Sequence, residues 1–378
     1  MAQTHPASPL RAEAPLLFVA ATLLAFLLFG KGWLADLSNP LWLALMFAWL
    51  FATILWAALK VVHHADCLAV KLGEPYGTLI LTLSVISIEV LMISALMLSG
   101  SNNPTLARDT MFAVIMIVLN GMVGLTLLLG ALRHHEQRYN LQGANAYLSV
   151  IIPLAMLSLL LPDLTLSTST PTLTGFQSAF LMLMSIALYG TFLAIQTSRY
   201  RGYFADDNAA AAEGTGAAAP DAHHGPEPGP VPVHALLLLA YLVPVVLLAK
   251  KLAIPIDHGI EVLDLPAALG GFIVAALVLT PEAVGAVRAA LVNRLQRAVN
   301  IFLGSVLATI GLTVPAVLAI SLATGKTLEL GLQGADVVML AATLLVSVVT
   351  FSAQRTYLLQ GVVHLILFLA YLMLIFAP

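Results

Sequence analysis

The sequence predicts an all-α polytopic membrane protein of about eleven transmembrane helices, one N-terminal helix plus two inverted five-helix repeats. Three observations carry this expectation. First, 60% of the 378 residues are hydrophobic and only 9% are charged, whereas a soluble domain needs about 25% charged residues to wet its surface. Second, the apolar residues fall into runs close to the ~20 residues that a hydrocarbon core of about 30 Å demands of a helix. Third, two of these runs carry the same spacing of glycine, hydroxyl and glutamate.

The first run, Ala14–Phe29, follows Arg11 and imitates a signal peptide. It is longer than the roughly 7–15 residues of a signal core, and no small-residue cleavage site follows it. It reads as a retained first helix near 15–34. Ten further spans are expected near 41–61, 77–99, 110–132, 146–162, 176–197, 234–253, 267–291, 298–322, 335–352 and 356–377. Most are apolar on every face, as suits helices that meet both lipid and neighbours. None alternates like the strands of a transmembrane barrel.

Between the sixth and seventh spans, residues 203–233 are rich in Ala, Gly and Pro without apolar periodicity, so they read as a flexible linker. Its Asp206, Asp207, Glu213, Asp221 and Glu227 read as a solvated charge run, and His223 and His224 as a surface pair. The expected organisation is thus 1–34 for the tail and first helix, 41–202 for one repeat, 203–233 for the linker and 234–378 for the other repeat.

Basic residues set the orientation. With the N-terminus inside, Arg11, Lys60, Lys71, Arg133, Arg138, Arg199, Arg201, Arg288, Arg294, Arg297 and Arg355 face the cytoplasm. Lys31, Arg108, Lys250, Lys251 and Lys326 face out. The linker is then cytoplasmic and the C-terminus outside, in a multi-pass protein of the cell membrane.

Composition also excludes. A net charge of −3 offers no basic surface for nucleic acid. One cysteine, Cys67, precludes an intramolecular disulfide and reads as a packing residue. No glycine-rich loop ending in lysine supports ATP-driven pumping. Paired aspartates or metal-binding histidine motifs within spans, as an intramembrane hydrolase needs, do not occur, so neither an enzyme nor a cofactor is expected. The expected partners are membrane lipid and small inorganic cations. A cation channel stays open as an alternative of another class.

The repeat aligns EPYGTLILTLSVISIEVLMISALM, from Glu74, with ALGGFIVAALVLTPEAVGAVRAAL, from Ala267. Gly77 falls on Gly270, Ser87 on Thr280, and Glu89 on Glu282. Each glutamate lies twelve residues past its glycine, which is about 18 Å along a helix and hence near the bilayer centre. Further on, Gly124-Leu125-Thr126 matches Gly311-Leu312-Thr313. Five spans per half is an odd number, so the halves enter the membrane in opposite senses. Inverted repeats of this kind recur in secondary transporters, with the binding site at the midplane.

An ionised acid at mid-membrane costs at least roughly 2.5–3.5 kcal/mol. No Lys or Arg lies mid-span to pair with either glutamate. Two facing carboxylates repel and resist burial as anions, so protons or a cation must neutralise them. Cation/proton antiport follows if the neutralised forms cross between states and the bare dianion does not. Electrostatics leaves the cation open: a divalent ion suits two acids, and Na⁺ or K⁺ can use the same pair. Hard cations take oxygen ligands. The candidate secondary ligands are Ser84, Ser87, Asn120, Thr280, Asn300, Ser305 and Thr309. Pro281 frees the Leu277 carbonyl beside Glu282. Soft ligands are absent from the centre, against Cu(I) or thiolate-bound Zn²⁺. Glu74 is a cap or an entry ligand. His63, His64, His134 and His135 end spans and are expected to be solvated.

The segments GEPYGTLILTLSVISIEVLMISALM and LTPEAVGAVRAALVNRLQRAVNIFLGSVLATIGLTVPAVL resemble the two signature repeats of the calcium/cation exchanger superfamily. Over nearly its full length the chain is similar to the bacterial ChaA-type calcium/proton antiporters. The resemblance implies inverted five-helix repeats, with Glu89 and Glu282 as alternating carriers of Ca²⁺ and protons. It also implies Na⁺/H⁺ and K⁺/H⁺ exchange as alternatives within that branch. Two departures stand out. Val85-Ile86-Ser87-Ile88 replaces the Gly-Asn that many members carry before the first glutamate, and Val306-Leu307-Ala308 follows Gly304-Ser305 where a Gln is common.

Overall fold

The computed structural model describes residues 13–72, 76–99, 103–168, 170–205 and 230–377. Glu74, Asp206, Asp207, Glu213, Asp221, His223, His224 and Glu227 lie outside the described residues. Helices dominate, because in lipid each backbone N–H and C=O needs a partner within its own segment. In chain order they are α1 (Ala14–Leu28), α2 (Gly30–Trp33), α3 (Pro40–Leu72), α4 (Tyr76–Ser99), α5 (Leu106–His134), α6 (Leu141–Leu164), α7 (Gly175–Thr197), α8 (Val231–Val262), α9 (Ala268–Leu291), α10 (Leu295–Thr324), α11 (Ala335–Thr350) and α12 (Leu358–Phe376). Each predicted span coincides with a helix, the first being broken after Leu28 into α1 and α2. Among the described residues, eight helices are long and apolar enough to cross a membrane, and Ala14–Leu28, Leu83–Leu98 and Ala335–Thr350 are shorter apolar helices. Leu345 and Val349 on α11, and Ile366 and Leu369 on α12, stay exposed. Apolar surface in that quantity suits lipid rather than water.

The chain divides into two compact units, 1–100 with 215–263, and 101–214 with 264–378. Each draws on both sequence halves. Helices matched by the repeat also pack together: α3 with α8 in the first unit, α5 with α10 in the second.

In the first unit α4 and α1 pack on α3 and α8. Phe26, Trp33 and Trp49 cluster with ring centroids 5.4–5.8 Å apart, and the Trp42 indole donates to the Trp33 carbonyl at 2.8 Å. Near Glu13 the structure corrects an expectation. His64 is not solvated; it is 1% exposed, because α3 runs on to Leu72 and α8 covers it. Its Nδ1 lies 3.0 Å from Nδ1 of His234, its Nε2 lies 3.5 Å from Glu13, and Tyr241 donates to the same carboxylate at 2.9 Å. His63 is exposed, as expected.

In the second unit α5 is the core: 78% of its most apolar stretch is buried, against 22% for α12. Small residues let helices approach it. A Cβ built on Gly361 of α12 would lie 2.6 Å from Leu128 N and 2.9 Å from Gly124 O, both on α5. One on Gly271 of α9 would lie 2.8 Å from Thr110 N. Without a hydrophobic drive between helices in lipid, such backbone proximity supplies much of the attraction.

Loops tie the helix ends at two levels. At one end, Gln137–Arg138 pairs antiparallel with Arg355–Thr356, and the Tyr139 hydroxyl donates to Ala353 O at 2.5 Å. Burial pushes the Tyr139 phenol up. His134 was expected to be solvated, but it contacts Leu291 O at 2.9 Å, and Gln137 donates to Ala290 O at 2.8 Å. Both add to the capping of the α9 C-terminus, where Ala290 O also accepts from Asn293 N at 3.0 Å. At the other end, Arg108 donates to Gly331 O at 3.2 Å, Glu329 N to Pro104 O at 3.0 Å, and Leu332 N to Leu159 O at 2.7 Å.

Candidate cation site

Glu89 sits in the middle of α4 and is 4% exposed. Burying an acid so completely in an apolar helix requires that its charge be neutralised or solvated by the protein. Ser84 and Ser87 share its helix, and each donates to the carbonyl four residues back, Ile80 and Leu83, at 2.6 Å. This back-bonding satisfies the hydroxyl proton while leaving the oxygen lone pairs able to accept. Ser87 lies two residues from Glu89, about 200° around the helix, and so projects from the opposite side.

Glu282 is half-buried on α9. Pro281 sits within that helix, so the Leu277 carbonyl receives no α-helical N–H. Thr280 donates to Ala276 O at 2.7 Å, so two successive carbonyls are affected on the approach to the acid. Across the α9–α10 contact, Ser305 donates to Glu282 Oε2 at 2.8 Å. This hydroxyl joins a predicted secondary ligand to a predicted carboxylate. A hydrogen bond to an ionised acceptor contributes about 1.5–3 kcal/mol.

Asn300 and Asn120 hold structural bonds. Asn300 donates to Phe204 O at 2.7 Å and accepts from Gln296 at 3.0 Å. Thr309 is fully buried, within a π-helical segment, Thr309–Thr313. Asn120 is fully buried in another, Ile117–Met122. The repeat matches the helices that carry these two segments, α5 and α10. A π turn displaces the hydrogen-bond ladder locally and is common at functional sites.

Around Asn120 lies a cluster that sequence reasoning missed. Its Nδ2 donates to Thr343 Oγ1 at 2.8 Å, and its Oδ1 lies 3.2 Å from His364 Nδ1. His364 Nε2 lies 2.9 Å from Thr350 Oγ1. Thr343 and His364 are fully buried and Thr350 nearly so. One signal was present in the sequence: His364 interrupts the run VVHLILF, and a polar ring inside an apolar span is expensive unless partnered. Its partners, however, lie 14 and 244 residues away.

The sodium/calcium exchanger protein family matches residues 42–198 and 233–377. The chain is 40% identical over 366 residues to the sodium-potassium/proton antiporter ChaA of Escherichia coli, covering 97% of this chain and 96% of that one. It is 46% identical over 323 residues to y4hA of Sinorhizobium fredii, covering 85% and 86%. Its fold is similar to that of native YfkE, with a TM-score of 0.71 at 16% identity over 96% of this chain and all of the other.

Proposed function

Because the chain belongs to the sodium/calcium exchanger protein family, we propose that it is a multi-pass cation/proton antiporter whose Glu89 and Glu282 carry cation and proton in turn. The observation that carries this reading is the Glu282–Ser305 pair: a carboxylate in an apolar helix, held at 2.8 Å by a hydroxyl from the next helix. Each carboxylate needs a positive partner when ionised. A proton or a bound cation supplies it, and the bare anion is too costly to move through an occluded state. Each cation that binds therefore displaces protons, and coupled exchange follows.

Oxygen ligands from Ser305, from Thr309 and from the Leu277 carbonyl beside Pro281 suit a hard cation. Ca²⁺/H⁺ exchange is the leading assignment, in keeping with two acids for a divalent ion and with the fold likeness to a Ca²⁺/H⁺ antiporter, YfkE. Na⁺/H⁺ or K⁺/H⁺ exchange through the same acids is the second, favoured by 40% identity to a sodium-potassium/proton antiporter. The chain needs no resident cofactor in this scheme and acts as a carrier rather than an enzyme.

The orientation proposed is N-terminus cytoplasmic and C-terminus outside. The two loop levels support it. Residues 134–139, 290–291 and 353–356, which meet at one end of the second unit, all belong to stretches assigned inside by their basic residues. Residues 104–108 and 329–332, which meet at the other, belong to stretches assigned outside, and residue 159, which they meet, is at the outer end of its expected span.

The test is cation-induced dequenching of a pH dye in everted membrane vesicles, with Ca²⁺, Na⁺ and K⁺ added separately. Glu89→Gln and Glu282→Gln are each expected to abolish exchange. Full exchange in either variant would sink the assignment, and a response to Na⁺ or K⁺ without Ca²⁺ would select the second reading.

A further inference from the structure

We infer that His364 is a positioning residue for cation selection: it holds the Asn120 side-chain oxygen and withholds it from the transported ion. The inference rests on the antiport reading above, in which Asn120 is a candidate oxygen ligand.

The argument begins with what each atom can do. An amide oxygen only accepts, so the His364 Nδ1 at 3.2 Å from Asn120 Oδ1 must carry the proton and donate it. In the neutral ring Nε2 is then the acceptor, and the Thr350 hydroxyl at 2.9 Å is its donor. The Asn120 amide nitrogen donates in turn to Thr343 Oγ1 at 2.8 Å, and Thr343 donates onward to Met116 Sδ at 3.5 Å. Four bonds run in one direction, from Thr350 through His364, Asn120 and Thr343 to Met116. A chain with a single sense is mutually polarising, and reversing one member would set two donors or two acceptors against each other. The Asn120 amide is therefore held at both ends, its oxygen by His364 and its nitrogen by Thr343.

That fixation has a consequence for the ion. Asn120 lies in the π segment of α5, which packs against α9, the helix of Glu282, and against α10, the helix of Ser305. Its oxygen is a hard ligand on a segment that packs against both helices, and it is turned to a histidine on α12. For Asn120 to ligate a cation, Oδ1 must exchange the His364 proton for the ion. His364 thus sets how readily a sixth or seventh oxygen becomes available. That number separates ions that demand many oxygens from ions content with fewer.

The experiment uses the full-length chain in everted vesicles, reading apparent KM and maximal rate for Ca²⁺, Na⁺ and K⁺ by dye dequenching. His364→Leu removes the donor and leaves Asn120 Oδ1 unpaired in an apolar surround. The apparent KM of the exchanged cation is expected to fall about fivefold, the effect of one net neutral hydrogen bond no longer competing with the ion. His364→Asn, whose amide nitrogen sits near the Nδ1 position, is expected to return KM to within about twofold of wild type, since a neutral donor again faces Oδ1. In an Asn120→Ala background, His364→Leu is expected to have no further effect on KM, because the coupling runs through the amide. Should His364→Leu fail to assemble, His364→Gln, which reaches Thr350 without a donor for Asn120, replaces it. An unchanged or higher KM in the donorless variant, or the same shift in the Asn120→Ala background, would overturn the inference while leaving antiport intact. Wild type without exchange of any of the three cations would instead overturn the antiport reading and this inference with it.

Discussion

Replacing Gly361 by alanine tests how the packing of α12 against α5 supports the polar chain one turn away. The new Cβ would meet Leu128 N at 2.6 Å, Gly124 O at 2.9 Å and Leu128 Cα at 3.0 Å. All three are backbone atoms and cannot swing aside. An ordinary contact needs about 3.4 Å, so the helices must part by about 0.8 Å at the crossing, and overpacking of this kind costs about 1–3 kcal/mol. The same displacement, carried three residues along α12 to His364, would stretch its 3.2 Å contact with Asn120 to about 4 Å, beyond hydrogen-bonding range. Gly361→Ala should therefore lower the apparent melting temperature in detergent by several degrees, read by the loss of the monodisperse peak after heating. It should also shift cation KM in the sense of His364→Leu. Gly190→Ala on α7 is the control, since nothing lies within 4 Å of its Cβ position. A Gly361→Ala protein as heat-stable as wild type, with unchanged KM, would refute the reasoning.

Two further outcomes are expected. Ser305→Ala removes the 2.8 Å bond to Glu282; the loss of about 1.5–3 kcal/mol of charge-assisted interaction should raise apparent cation KM by about tenfold or more, and vesicle titrations showing no change would detach Ser305 from the site. Tyr139→Phe deletes the bond to Ala353 O and should cost about 1 kcal/mol near neutral pH. Because burial raises the phenol above its ordinary value of 10, the stability it contributes is complete below pH 10 and is lost as pH rises further. Thermal melts should show wild type weakening above pH 10 more steeply than Tyr139→Phe; parallel curves would contradict this.

The chain belongs to the sodium/calcium exchanger protein family, and several details of its polar contacts are its own. Its signature segments lack two amides common in the superfamily, at 85–88 and 306–308. In the second unit the Asn120 amide is engaged by His364 and Thr343. Asn300 is equally committed, to Phe204 O and Gln296. The Ser305 hydroxyl, by contrast, already touches the Glu282 carboxylate.

The sequence by itself determined the membrane class, the positions of the helices and the two central glutamates. Those follow from one-dimensional quantities: the length of an apolar run against the thickness of the bilayer, and the cost of an acid inside it. Read as a repeat, it also pairs α4 with α9 through Glu89/Glu282 and α5 with α10 through Gly124/Gly311. Only the tertiary structure decided which faces meet. Helices apolar on every side carry no stripe to mark the protein-facing surface, because lipid and neighbouring helices are nearly equivalent solvents for a leucine. For that reason His64 read as solvated although α8 covers it, His134 read as interfacial although it meets the end of α9, and His364 drew no notice although it holds Asn120 across 244 residues. Polar atoms in such helices find partners by three-dimensional proximity alone.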